Sequence, residues 1–288
     1  MKILMTGRNG FIGSNLALTL ESHGHVVYSL SYRDSFPDVR DEILTFNPQV
    51  TIHCGWFGGN NYSQSNDIDQ FHKNIPNGIK LIEILKDIKN DHTFIGFGTT
   101  FEYGLKNHVV DEEEVETPVD LYGMSKLVFK NYSRLLCEKY NVNWTWIRPC
   151  YTYGPGDVKT RLIPKVINNI LSSQPLMFDE CKSIIDYLYI DDFSNAILKL
   201  IDNKSIGVYN VCSGQQYKIK DVILKISELM NYDYRKIIFD PELYSKTSKP
   251  QFICADNSKL RYTIDWEPTT KIEVGLSKTI ENIKKNRL

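Results

Sequence analysis

Two hydrophobic periods alternate along this chain. Residues 2–6 (KILMT) are a short apolar run ending at Gly7, which predicts a buried parallel strand. From Ile12 the apolar positions Ile12, Leu16, Leu18 and Leu20 return at roughly helical spacing. HVVYSLSY then predicts a second strand, DEILTF a short helix, residues 50–54 a third strand and residues 66–88 a long helix. HTFIGFGTT predicts a strand with a glycine break, residues 121–141 a second long helix, and NWTWIRPCYTYG a further strand. Such alternation predicts an α/β fold, a doubly wound parallel sheet with right-handed crossovers. After GPGD at 154–157 the segments shorten (TRLIPKVINNILS, IDYLYIDDFSNAILKLI, GVYNVCSG, KIKDVILKISELM), which predicts a smaller C-terminal α/β lobe that binds substrate. The expected division is 1–155 and 156–288, with 186–206 returning to the sheet.

The turn after the first strand reads GRNGFIG. Gly7 lets the chain leave the strand sharply, Gly10 lets backbone N–H groups approach a pyrophosphate, and Gly13 lets the helix pack close to the strand. The phosphate would lie at the positive end of the helix. Arg8, Asn9, Phe11 and Ile12, between these glycines, are the accompanying candidate cofactor contacts. A tight corner in an ordinary α/β domain would use the same glycines.

Composition narrows the class. The 288 residues are 42% hydrophobic and 24% charged, with a net charge of −1, which suits a large core and gives no basic surface for nucleic acid. No apolar run approaches the ~20 residues of a membrane span, and no long apolar leader opens the sequence, so a cytoplasmic protein is expected. The six cysteines are scattered singly without metal-ligand spacing; buried reduced thiols and no metal are expected.

Tyr122 and Lys126, four residues apart on a predicted helix, would share one face, where an ammonium favours the phenolate of its neighbour. In a chain with 17 tyrosines this pair alone would read as a solvated helix face. It stands, however, with TGRNGFIGSN (6–15), VTIHCGW (50–56), Asn74, GTTFEYG (98–104), YGMSK (122–126), RPCYTYGPG (148–156), IDYLYIDD (185–192), GVYNVCSG (207–214) and ADNSKLRYTIDWEPTT (255–270). In this order and spacing the chain resembles the extended short-chain dehydrogenase/reductase family of nucleotide-sugar enzymes.

The resemblance implies a Rossmann sheet with NAD or NADP, Tyr122 as general acid/base, and Lys126 as the residue that holds the nicotinamide ribose and lowers the tyrosine pKa. It also implies that Thr99 hydrogen-bonds the substrate oxygen under attack, and that Asp38 and Val39 lie against adenine. Family members selective for NAD carry an acid at the end of the second strand; here Ser31 stands there, with Arg33 following and Arg8 in the glycine turn, which favours NADP. Thr100 and Phe101 occupy the places where 4,6-dehydratases carry an acid, so elimination is not expected. Glu102 lies one place further, where the family usually has an apolar residue and where strand alternation would point it elsewhere. Ile185 replaces the usual arginine and Tyr151 the usual asparagine, leaving Arg161 and Lys249 as candidate cations for the substrate diphosphate. Thr100, Phe101, Tyr151, Arg161 and Lys249 are the candidate substrate contacts.

The expectation is an NADPH-dependent reductase of a nucleotide-diphosphate 4-keto-6-deoxy or dideoxy sugar, with an NAD-dependent 4-epimerase and a dinucleotide-sensing regulatory protein as alternatives. A homodimer through helices 66–88 and 121–140 is also expected, the second offering Leu127, Phe129, Leu135 and Leu136.

Overall fold

The computed structural model describes residues 1–30, 39–58, 67–243 and 251–287. Along the first half run β1 (Lys2–Thr6), α1 (Phe11–Ser22), β2 (Val26–Leu30), α2 (Arg40–Phe46), β3 (Val50–His53), α3 (Ile75–Leu85), β4 (Thr93–Phe97), α4 (Leu121–Lys139) and β5 (Asn143–Pro149). The second half adds β6 (Tyr151–Tyr153), α5 (Leu162–Leu171), β7 (Leu176–Phe178), β8 (Ile184–Ile185), β9 (Tyr187–Tyr189), α6 (Ile190–Asp202), β10 (Gly207–Val211), β11 (Tyr217–Lys218), α7 (Ile219–Leu229), β12 (Ile237–Phe239), β13 (Phe252–Ile253), α8 (Ser258–Ile264) and α9 (Ile272–Lys285).

Six strands form one sheet in the order β10-β5-β4-β3-β1-β2, and every pairing is parallel. Parallel strands are covered on both faces, which is why Ile3, Leu4, Met5 and Ile52 are fully buried. On one face α1 packs against α6; Leu16, Leu20, Phe193 and Ile197 share its core. On the other, Leu81, Leu85, Phe94, Phe129 and Trp146 close the layer beneath α3 and α4. Strand order changes direction between β1 and β3, so the crevice for a ligand opens beyond their carboxyl ends.

Four expectations are revised by tertiary structure. The segment 66–88 is not one α-helix: a π-helical turn at Gln70–Asn74 precedes α3, whose first turn contains Pro76. Proline lacks the N–H that would continue an α-helical ladder, and the wider turn absorbs the break. NWTWIRPCYTYG divides after Pro149, because β6 leaves the sheet to pair with β9. Within 186–206 only α6 packs back on the main domain, against α1; β9 pairs with β6 outside the main sheet, and the strand that returns is β10, which pairs with β5 from Gly207 to Val211. Phe129 faces the core at 0% exposure instead of the outer face of α4. Of the predicted strand HVVYSLSY, β2 covers Val26–Leu30; its last two residues lie outside the described ones.

The second lobe is built from short pieces: β8 between β11 and β13, β7 beside β12, and the helices α5, α7 and α9. Among the described residues no helix is long and apolar enough to cross a membrane.

Candidate functional site

β1 ends at Thr6, and Gly7 turns the chain with φ of +76°, a conformation that side-chain-bearing residues disfavour. A Cβ at residue 13 would stand 2.1 Å from the Gly7 carbonyl oxygen, so this close approach of helix to turn requires glycine. α1 begins at Phe11 with neither a side-chain cap nor an acid in its first turn. The positive end of the helix therefore faces the crevice with its N–H groups uncapped by any side chain, which suits a pyrophosphate.

From this turn a cleft of about 530 Å³ runs across the strand ends to the second lobe, lined by Gly7, Gly10, Phe11, Ile12, Gly13, Trp56, Thr99, Thr100, Phe101, Tyr122, Lys126, Tyr151, Arg161, Ile185 and Tyr187 among others. The volume lies in the range of small-molecule and cofactor sites. Sequence-predicted residues from five separate segments thus meet in one place. Arg8, Asn9 and Val39 do not line it. Ser31, Arg33, Asp38 and Lys249 lie outside the described residues.

α4 carries Tyr122 and Lys126. Asp120 caps the helix, its Oδ1 accepting the Gly123 N–H at 2.7 Å, and so places Tyr122 in the first turn. The Thr99 side chain favours the ionised phenol, and the Tyr122 ring meets Phe101 edge-on at 6.2 Å. Burial pushes the Tyr122 phenol up to about 12, opposed by the charge of Arg161 and reinforced by that of Glu102. Lys126 Nζ donates to the Phe97 carbonyl at 2.6 Å and lies 3.7 Å from the Trp56 ring centroid, against 5.9 Å for the Tyr122 ring. Burial lowers Lys126 to about 7, partly offset by Glu102. The phenol is thus governed first by its own burial.

Thr99 follows β4 and caps a 3₁₀ turn at Thr100–Tyr103. Glu102 is the third residue of that turn, not part of a strand, and it faces inward with 0% exposure. Its Oε1 accepts the Thr99 N–H at 2.9 Å, and its Oε2 takes Arg148 Nε at 2.8 Å. Trp146 Nε1 donates to it at 3.1 Å. Glu102 does turn away from the cleft, which it does not line, but the 3₁₀ turn and not strand alternation sets that direction.

On the lobe side, Tyr151 meets Tyr187 edge-on at 6.0 Å. Arg161 donates to Asp157 at 3.2 Å and to the Thr152 carbonyl at 3.3 Å. Ile185, where the family has an arginine, is buried at 2% exposure. Trp56, Glu102, Asp120 and Asp157 were missed as site residues; only Asp120, an N-cap type before a helical period, carried a sequence signal. The cysteines, scattered in sequence, are partly gathered in space: Cys150 and Cys212 join Asp186 in a buried group within 4.8 Å. The Asp186 carboxylate there already accepts the N–H groups of Ser213 and Gly214 at 2.8 and 2.7 Å.

The chain is similar to the GDP-6-deoxy-D-mannose reductase of Pseudomonas aeruginosa, with 24% identity over 96% of this chain and 94% of that one. Its fold is that of the UDP-glucose 4-epimerase of Thermotoga maritima solved with UDP-glucose, at a TM-score of 0.89, 22% identity and full coverage of both chains. It also matches the P. aeruginosa protein RMD solved with NADPH, at a TM-score of 0.87, 20% identity and 99% coverage of each chain. Residues 3–212 match the NAD dependent epimerase/dehydratase family, from the glycine turn through the last strand of the sheet, and the chain belongs to that family.

Proposed function

We propose that this protein is an NADPH-dependent reductase of the C4 keto group of a nucleotide-diphosphate 4-keto-6-deoxy or dideoxy sugar, working as a homodimer. The observation that carries the reading is the meeting of Thr99, Tyr122 and Lys126 in a cleft that begins at the uncapped end of α1. Relatives named as GDP-6-deoxy-D-mannose reductase and similar sugar reductases support the direction of the reaction.

The glycine turn and the first turn of α1 would hold the cofactor pyrophosphate, and Lys126 the nicotinamide ribose. When bound, the reduced nicotinamide supplies a hydride to C4. Tyr122 gives its phenolic proton to O4, completing the alcohol, while the Thr99 hydroxyl holds that oxygen toward the phenol. General acid catalysis is most efficient with a pKa near the operating pH; burial works against this at Tyr122, while the Arg161 charge and the Thr99 side chain draw the phenol back down. The places immediately after Thr99 hold Thr100 and Phe101, neither able to act as the acid or base of an elimination. Phe101 and Tyr151 would wall the sugar, and Arg161 would meet the diphosphate. With Ile185 lining the cleft where the resemblance expects an arginine, that contact depends on Arg161 exchanging its bond to Asp157 for the phosphate.

The test is NADPH oxidation with freshly made dTDP-, CDP-, GDP- and UDP-linked 4-keto sugars. Stoichiometric oxidation with appearance of the 4-hydroxy sugar supports the reading. Conversion of a saturated nucleotide sugar to its 4-epimer without net cofactor consumption would replace it with the epimerase reading. That alternative is favoured by one observation: Arg8, one of the arginines thought to select NADP, is bonded to Glu21.

A further inference from the structure

The cleft rests on a buried ionic assembly that the reading above does not use. Glu102 and Arg148 are both at 0% exposure. Arg148 also donates to Tyr103 Oη at 2.7 Å and to Glu116, and Lys130 reaches Glu116 from α4. A Cβ at residue 98 would fall 2.1 Å from Glu102 Oε1, so the backbone in front of Thr99 leaves space for this carboxylate. Buried ion pairs seldom stabilise more than an apolar pair of the same size would. Stability alone therefore gives little reason for the pair as a whole, although removing one partner would strand the other charge.

Its location supplies the reason. Glu102 and Thr99 cap one another: the carboxylate accepts the Thr99 N–H, and the Thr99 side chain accepts the Phe101 N–H at 3.3 Å. The same carboxylate acts electrostatically on both Tyr122 and Lys126. We infer that Glu102 is a positioning residue of the reaction centre: locked by Arg148 and Trp146, it fixes Thr99 in its place and sets its carboxylate against the Gly98 backbone, the next residue after the Phe97 carbonyl that Lys126 grips. The reaction it serves rests on the reductase reading; the electrostatic part can be measured without substrate.

The groups around Lys126 make the measurement clean. Glu102 acts on it from the 3₁₀ turn, Cys54 and His53 from the end of β3, and Tyr122 approaches it from its own helix; Glu102 also acts on Lys130, whose ammonium is held by Glu116. Arg161 and Asp120 act on Tyr122. Burial holds His53 down to about 3 and Cys54 up to about 12, so Lys126, at about 7, is the group of this set that changes charge near neutrality. Its ammonium lies over Trp56, and its protonation will therefore alter Trp56 emission.

The experiment is a fluorescence pH titration of the full chain. An emission step near neutrality is expected, absent in Lys126→Met and Trp56→Phe. In Glu102→Gln, which keeps an oxygen for the Thr99 N–H but removes the charge, the ammonium loses support and the step moves about one pH unit lower. The neutral pair Glu102→Gln/Arg148→Met should shift it in the same direction and covers the case in which the single variant does not fold. A loss of thermal stability with an unmoved step would mean a structural role only and overturn the inference. With substrate, the alkaline limb of kcat/KM should move the same way, with kcat reduced more than KM is changed. If the emission step moves but no 4-keto sugar is reduced, the reductase reading fails alone; if reduction occurs and neither step nor limb moves, the positioning role fails alone.

Discussion

Arg8 grips Glu21 through two guanidinium–carboxylate bonds of 2.6 and 2.9 Å. The pair ties the glycine turn to the far end of α1, and both side chains are about one-third exposed, so solvent and salt weaken it. It bears directly on cofactor choice, because a guanidinium committed to Glu21 must leave it to reach a 2′-phosphate.

Glu21→Gln should free Arg8 and tighten NADPH binding several-fold while leaving NADH unchanged, and Arg8→Ala or Arg33→Ala should weaken NADPH selectively. A charged hydrogen bond of ~1.5–3 kcal/mol corresponds to roughly 10- to 150-fold in affinity. Fluorescence titration of both cofactors against each variant checks this. Equal responses for the two cofactors would make Arg8 a purely structural tie and favour NAD.

Replacing Tyr122 by phenylalanine keeps the ring against Phe101 and removes only the hydroxyl. Turnover should fall about 10²- to 10⁴-fold with cofactor affinity and near-ultraviolet circular dichroism retained. Wild-type rates in this variant would remove Tyr122 from the proton path.

Acid should destabilise the fold through two buried histidines. Burial lowers His53 to about 3 and His92 to about 4, below the ~6.5 of the unfolded chain. The unfolded state thus binds protons first as pH falls: stability from these groups is complete above pH ~6.5 and is lost progressively toward pH 4 and then 3. The Thr6 hydroxyl accepts the Gly55 N–H at 3.0 Å and shares a hydrogen bond of 2.8 Å with His53 Nδ1. His53→Gln should flatten the dependence of the urea midpoint on pH between 6.5 and 4. An unchanged slope would place the acid sensitivity elsewhere.

α4 leaves Met124, Val128, Tyr132 and Leu135 exposed, Leu135 at 56% and Tyr132 at 47%. Their spacing of four, four and three residues forms one stripe along the helix. We expect a homodimer in sedimentation at micromolar concentration, and a monomer for Val128→Glu/Leu135→Glu. A monomeric unmodified chain would count against dimerisation through this helix.

The sequence determined what depends on neighbours along the chain. Gly7, Gly10 and Gly13 bend one turn, Tyr122 and Lys126 share a face because a helix turns every ~3.6 residues, and buried parallel strands must be apolar. These local rules predict the sheet and its glycine turn; Thr99, Thr100, Phe101, Tyr151 and Arg161 come from the family resemblance of the motifs that carry them. Tertiary structure decided what depends on distant partners. Glu102 meets Arg148 across 46 residues, Lys126 lies on Trp56 across the cleft floor, and Arg8 turns to Glu21. The strand after Pro149 breaks because β9 offers β6 another partner. A charge or aromatic ring acts through space with whatever the fold brings near it, and that proximity is fixed by packing, so no local period in the sequence encodes it.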